Sequence, residues 1–408
     1  MKKLAPVVAA FLLVLLPLIA SAGGLYLTEF GTPNMGVAGA GEARADDAST
    51  AIHSPAGMTR LDEHQLMLGA AVGFSTVNFD PSRNATGNQN MGSSGGEQGG
   101  FVPILSGHYV HKLSDRLRLG TSLLSFSGSV LDPENGWLGR GEITYISLFT
   151  LSVVPNLAYR VTDWLSVAGG AAVTYGRLDY DLRSPGPLGL EAKIDDADDV
   201  AAAGMASVLI EPSENLRFAV KYLSETDFDL DGDVDLSPGL SGVVDVDQPL
   251  AQFVRASAWW QATDRVALMA VLGWEDWSTA GSVPTSFNAG TVQIPLEWKD
   301  TYKIGGGIHY RASDLWTLQA GVTYDTSPVE KADRLAALPV DRQIRWAVGG
   351  LYDWSEHTRV GLAFNWIDLG RASIDNARIR GSYSRNDLFL LALNVNWKQL
   401  PWSGRGTW

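Results

Sequence analysis

The chain has 408 residues, 45% of them apolar, with 44 glycines, 14 tryptophans, no cysteine and a formal net charge of −14. Lack of cysteine rules out disulfide staples and thiolate metal sites, and the acidic balance argues against nucleic acid, whose counterions only a cationic footprint displaces. Charged residues at 19% and a mean hydropathy near zero fit neither a helical membrane protein nor a disordered one, but suit strands that average a lipid face with a wetter one.

The first 22 residues read as an export leader. Lys2 and Lys3 precede an apolar run from Leu4 to Ala20, interrupted by Pro6 and Pro17, and Ala20-Ser21-Ala22 supplies a small-x-small cleavage pattern. Cleavage makes Gly23 the first residue and takes the formal charge to −16. No later stretch has the length of about 18 apolar residues that a spanning helix needs.

Residues Gly23 to Leu61 are not strand-like. Gly31, Gly36, Gly39 and Gly41 punctuate small side chains, and the run Glu42 to Met58 is too polar to cross lipid. Asp46 and Asp47 lack the defined separation of an acid–base pair, so hydrogen bonds or ion pairs to a surrounding wall, with Arg44 joining them, are the expectation. Pro55, between Ser54 and Ala56, fixes one φ and has no N–H to satisfy, which suits an irregular turn.

From about 64 onward one hairpin design recurs six times. Ser114-Asp115, Thr162-Asp163, Ser213-Glu214, Thr263-Asp264, Ser313-Asp314 and Ser355-Glu356 each put a hydroxyl before an acid, where short side chains bond the turn backbone. Twelve strands flank these turns, and one run before (about 64 to 80) and one after (about 386 to 398) make fourteen. The strands have period two: Trp298, Tyr302, Ile304, Ile308 and Tyr310 oppose Glu297, Lys299, Thr301, Lys303 and His309. A continuous apolar face opposite a charged one needs lipid as its partner, and backbone in hydrocarbon must be paired, so the sheet has to close. The expected fold is all-β: a fourteen-stranded antiparallel transmembrane barrel. Its lumen is too wide for wall side chains to fill, and Gly23 to Leu61 is expected inside it as a plug. The units are then a leader (1–22), a plug or hatch (23–61), a barrel (62–398) and an extension (399–408).

The other connections are long and acidic or glycine-rich: Pro81 to Gly100, Ser184 to Asp199, Asp227 to Asp247 and Thr279 to Gln293. Tight turns at one end and long loops at the other match bacterial outer-membrane barrels, with the loops outside. Trp137, Trp164, Trp274, Trp277, Trp298 and Trp354 are expected in the interfacial girdles. Inward basic residues, Arg118, Arg217, Lys221, Arg255, Lys299, Lys303 and Arg345, are candidates either for pairing with plug and wall acids or for holding a carboxylate head group. His53, His108 and His309 are too scattered for a zinc set. Alternating Asp227, Asp229, Asp231, Asp233 and Asp235 read as a solvated strand extension, with calcium as the alternative. No Ser and His are singled out as a catalytic pair, so no catalytic residue, metal or cofactor is expected.

The start Gly23-Gly24-Leu25-Tyr26-Leu27-Thr28-Glu29-Phe30, the segment Gly36 to Ala43, Ala45 to Thr50, and Ser54-Pro55-Ala56-Gly57-Met58 together resemble the N-terminal hatch of the FadL/TodX-type long-chain fatty acid and hydrocarbon transporters of Gram-negative outer membranes. Members of that family have Asn-Pro-Ala where this chain has Ser54-Pro55-Ala56, and they end near the last strand, whereas ten residues follow Lys398 here. The resemblance implies passive diffusion of a hydrophobic small molecule, caught among the outer loops and passed to a pocket beside the hatch, where Leu25, Tyr26, Leu27 and Phe30 touch it. Glu42, Arg44, Asp46, Asp47, Ser54, Pro55 and Ala56 then belong to the plug or gate. An inward kink in the third strand, with a sideways exit, is a further implication. Implied partners are a fatty acid or hydrocarbon, outer-membrane lipid and lipopolysaccharide, and the barrel assembly machinery, with the protein a monomer. A general porin, or an adhesin or receptor acting through its loops, is the alternative of another class.

Overall fold

The computed structural model describes residues 26, 30–82, 92–183, 191–237, 239–280, 282–287, 290–295, 297–376 and 378–398. The leader, Leu25, Leu27 and the extension from 399 lie outside the described residues.

Strand alternation builds the wall. On Tyr145–Arg160, buried Ile146, Leu148, Thr150, Ser152, Val154, Asn156 and Ala158 alternate with exposed Phe149, Leu151, Val153, Leu157 and Tyr159. The exposed face is the uniformly apolar one, the inverse of a water-soluble sheet, and the inward face mixes small, polar and apolar groups. The strands are β1 (Gln65–Pro81), β2 (Phe101–Lys112), β3 (Leu117–Leu124), β4 (Gly128–Leu131), β5 (Tyr145–Arg160), β6 (Leu165–Arg183) and β7 (Glu191–Ser213). Next come β8 (Leu216–Leu223), β9 (Thr226–Leu236), β10 (Leu240–Leu250), β11 (Phe253–Gln261), β12 (Val266–Glu275), β13 (Ser282–Phe287) and β14 (Gly290–Pro295). The last are β15 (Thr301–Arg311), β16 (Trp316–Asp325), β17 (Gln343–Ser355), β18 (Thr358–Asp368), β19 (Ile374–Asp375) and β20 (Arg380–Trp397).

Three wall strands are interrupted: β3 continues as β4, β8 as β9, and β10 as β11. Counted so, fourteen antiparallel strands run round the wall, and β20 closes it on β1 from Leu66↔Trp397 to Pro81↔Gly381. The hairpin β13–β14 and the two-residue β19 lie outside that circuit. All six expected tight turns are present. Ser114, Thr263 and Ser313 each accept bonds from the backbone N–H groups two and three residues on, and Ser355 accepts one from His357.

Two expectations need correction. Ser184 to Asp199 is not all loop, because β7 already runs from Glu191, and Asp227 to Asp247 is the hairpin of β9 and β10. Polarity there marks strands projecting into water rather than strands ending. Of the six girdle tryptophans, Trp164 and Trp354 are exposed at the turn end, but Trp137, Trp277 and Trp298 are buried in the apolar filling of the barrel. Trp298 precedes the first ladder residue of β15, so strand alternation does not govern where it points.

Candidate functional site

Before β1, two one-turn helices, α1 (Thr32–Met35) and α2 (Thr50–His53), and two 3-10 turns, Glu42–Arg44 and Pro55–Arg60, pack against inward wall residues. Pieces this short leave many backbone groups unpaired, and wall side chains serve them. Gln319 donates to the Pro33 carbonyl at 2.9 Å, Thr323 to Ala38 at 2.6 Å, Asn156 to Ala51 at 3.0 Å, Lys221 to Ile52 at 3.2 Å and Arg118 to Leu61 at 2.8 Å. On β15 to β17 the seat is glycine. A Cβ on Gly307 or Gly321 would overlap Val37, and one on Gly349 would lie 3.2 Å from the Cα of Gly36.

Above the plug lies an aromatic cage. Tyr26 sits edge-on to Phe253 and Phe126 (ring centres 5.4 and 6.2 Å) and tilted against Trp277 (5.5 Å), while Phe30 meets Phe126 at 5.9 Å. The Tyr26 hydroxyl donates to the Ala251 carbonyl at 2.8 Å. Ile52, His53, Lys221 and Arg255 complete the lining, and the free space is about 10 Å³, a single water's worth. The cage is closed, with no ready cavity for an organic molecule.

Two cations border these rings. Arg255 stacks on Phe253 with its guanidinium carbon 4.5 Å from the ring centre, and Lys221 Nζ is 5.6 Å from it. Both face Glu42 at 3.4 Å, and Arg255 also pairs with Glu275 at 3.0 Å. Burial works to raise the Glu42 carboxyl, but Lys221 and Arg255 outweigh it and hold the group below its usual value. His53 Nε2 lies 2.6 Å from the Phe30 carbonyl, and Asn34 bonds its Nδ1 at 3.2 Å. Burial, with Lys221 nearby, lowers His53 to about 4 and keeps it neutral.

The third wall strand breaks at Ser125–Ser127. Leu124 pairs with Ser152 and Gly128 with Phe149, so four steps on one strand face three on the other. This one-residue excess is a bulge, and the Thr150 hydroxyl serves it, accepting from Ser127 N–H at 3.0 Å and donating to its carbonyl at 2.7 Å. The bulge turns Phe126 into the cage. Among the described residues β2 meets β3 only over Gly107 to Lys112, so Phe101 to Ser106 have no ladder partner on that side. A second, mostly apolar cavity of about 30 Å³ lies between the plug and β1, β2 and β20, lined by Phe30, Met35, Ala71, Ile104 and Ser106 among others. Phe30 is the partition shared by cage and cavity.

Outward of the cage the connections fold in and continue the apolar filling. Trp137 packs on Phe79 and donates to the Ile143 carbonyl at 2.6 Å. Glu142 joins two further loops by accepting from Ala336 N–H at 2.7 Å and from the Asn376 amide at 3.1 Å.

The residues expected from sequence are thus partly gathered and partly dispersed. Tyr26 and Phe30 share the cage with Lys221 and Arg255, and Glu42 joins the two cations beneath it. Arg44 binds Asp46 and Asp47, and Arg359 reaches Asp46 at 3.7 Å. Ser54, Pro55 and Ala56 are buried near the turn end, and the Ser54 hydroxyl has no partner among the described residues. Lys303 and Arg345 pair with Asp325 at 2.8 and 3.3 Å, and Arg217 stacks 3.7 Å over Trp259. Lys299 is a correction: it precedes β15, is exposed, and pairs with Glu330 rather than facing the lumen. The three histidines do not meet. Asp229, Asp245 and Asp247 bring carboxylate oxygens within 4.8 Å of one another on the exposed hairpin, which the calcium alternative did not anticipate across two strands. Phe126, Phe253, Trp277 and Glu275 were not foreseen. Signals existed for two of them: the serines bracketing Phe126, and an acid, Glu275, ending an otherwise apolar strand.

The sequence model of the family described as outer membrane protein transport protein (OMPP1/FadL/TodX) matches residues 13–397. A long-chain fatty acid transport protein of Salmonella typhi is 24% identical over 388 residues, covering 84% of this chain and 87% of that protein. Among solved structures, a FadL homologue of Pseudomonas aeruginosa superposes with a TM-score of 0.85 at 18% identity, covering 92% of this chain and 100% of that one. The toluene transporter TodX of P. putida gives 0.72 at 17%, covering 91% and 99%.

Proposed function

This chain belongs to the OMPP1/FadL/TodX family of outer membrane transport proteins, and we propose that it admits neutral apolar solutes, monoaromatic hydrocarbons before fatty acids. Passive passage of hydrophobic solutes through an outer-membrane barrel is the activity its family and fold carry. The observation behind the finer reading is the cage: five aromatic rings whose bordering cations are already paired with acids.

In this scheme the solute collects on the apolar surfaces under the outer loops, gaining roughly 0.8 kcal/mol for each CH₂ removed from water. It then takes the place of Tyr26, whose seat is one hydrogen bond and three ring contacts. The segment from Leu25 to Phe30, Leu27 included, is assigned the moving part, because the wall itself could move only by breaking ladders of backbone bonds. Past Phe30 lies the second cavity, which shares Ile104 and Ser106 with the unpaired stretch of β2; that stretch is assigned as a sideways route into the bilayer. The plug from Thr32 to Leu61 stays seated. Leader cleavage after Ala22, insertion by the barrel assembly machinery and a monomeric state complete the proposal.

Long-chain fatty acid is the second reading, favoured by the name of the curated relative. The deciding measurement is uptake of labelled toluene and of labelled dodecanoate by cells expressing the protein at known surface level. Faster toluene entry with little gain for dodecanoate is expected, and the reverse order would transfer the proposal to the second reading. High steady ion conductance of the purified barrel would argue for an open porin instead.

A further inference from the structure

The charges beside the cage come from two sources. Lys221, Arg255 and Glu275 belong to wall strands β8, β11 and β12, whereas Glu42 is brought in by the plug. Lys221 and Arg255 carry two positive charges, and Glu42 and Glu275 carry two negative ones, so the quartet presents no net charge to a solute. Without Glu42 the wall would hold two cations against one carboxylate. A buried cation without its partner is strongly unfavourable and attracts any available anion, and guanidinium is well matched to carboxylate. A donor is also waiting: Arg255 Nε is buried with no hydrogen-bond partner among the described residues.

We propose that Glu42 sets the substrate class: by standing as the counterion of Lys221 and Arg255 it denies that position to a solute carboxylate and reserves the cage for neutral molecules. Glu42 is a specificity residue that acts through the two wall cations, not a passive part of the stopper. The same cage with a neutral residue at 42 becomes a site for a carboxylate on an apolar chain. This inference rests on the reading of the cage as the solute site.

The test compares two probes of equal chain length, dodecanoate and dodecanol, with toluene as a third, by equilibrium dialysis of the full-length barrel in one detergent at pH 6.5. Wild-type protein is expected to bind toluene and dodecanol, with dodecanoate at least tenfold weaker than dodecanol. In Glu42→Gln the dodecanoate-to-dodecanol ratio of affinities should rise tenfold or more. The double variant Glu42→Gln/Lys221→Met, balanced again, should return the ratio to the wild-type value. A plug merely loosened by substitution would raise both probes together and leave the ratio unmoved. Lys221→Met alone carries the opposite imbalance and should lower the ratio, so it tests the idea even if Glu42→Gln does not fold. An unchanged ratio in Glu42→Gln, or in Lys221→Met if only that variant folds, overturns the role of Glu42 while toluene binding by wild type leaves the cage standing. Failure of wild type to bind either neutral probe overturns the cage reading and the inference with it.

Discussion

Tyr26 and Ala251 lie 225 residues apart and are joined by one hydrogen bond, 2.8 Å from phenol oxygen to carbonyl oxygen. Ala251 sits in the interruption between β10 and β11, where its carbonyl is not taken up by the ladder. The start of the chain is thereby tied to a place where the wall has an acceptor to spare. Tyr26→Phe keeps the ring and removes the tie, at a cost of about 1 kcal/mol in a typical case. Toluene uptake should rise several-fold at equal surface level, and an unchanged rate would show that the bond does not hold the gate.

Acid should loosen the seat of Phe30. Burial lowers His53 to about 4 from 6.5, so between those values the free imidazole takes up a proton that the seated one refuses. Stability of the seat is therefore intact above pH 6.5, falls as pH drops toward 4, and levels off below it, by roughly 3 kcal/mol at most. Asp47, lowered to about 2 with burial opposing and Arg44 outweighing it, loses its contribution only beneath that window. Protease access to the plug, followed from pH 7.5 to 4.5, should increase in wild type and rise less steeply in His53→Gln.

Gly321 supports the plug by absence of a side chain. A Cβ there would overlap the Val37 backbone, which has no flexible end to yield. Gly321→Val should strain the seat by about 1 to 3 kcal/mol, the usual range for overpacking. Planar-bilayer recordings are expected to show ion conductance that wild type lacks, with the barrel still resistant to heat in gel-shift assays.

Thr150 holds the wall interruption open. Thr150→Val leaves the buried N–H of Ser127 without its partner, while the Ser127 carbonyl keeps the Ser125 hydroxyl at 2.9 Å, and the chain must either carry that cost, about 1 to 3 kcal/mol, or rearrange. Uptake should fall several-fold with little change in toluene binding to the cage, measured by equilibrium dialysis as above. Undiminished uptake would remove the gap from the route.

Much of the wall was legible because its signals are local. A hydroxyl before an acid makes a turn wherever it stands, as Ser114 and Ser313 do, and alternation names the two faces between turns. The candidate site was legible only in pieces. Arg255 and Lys221 could be placed on the inward face, but their common partner Glu42 comes from a segment some 180 and 210 residues away, and nothing in either neighbourhood records the meeting. Trp137, Trp277 and Trp298 were misread because an aromatic near a strand end looks the same whether its loop leans out over lipid or folds into the lumen. Lys299 was misread because alternation was extended two residues beyond the ladder, which starts at Thr301.

The bulge at Ser125–Ser127 also reverses which residues face inward. Leu124 points into the lumen with Ser152, yet past the bulge it is Ser129 and Leu131, opposite Leu148 and Ile146, that do so. Even positions give way to odd ones across one extra peptide unit. Substitution cannot create or undo such a change of phase, since no side chain alters the count. Walls of this kind should therefore gain or lose their interruption by insertion and deletion, and lineages differing there by one codon should differ in how the strand's outer half presents every side chain it has.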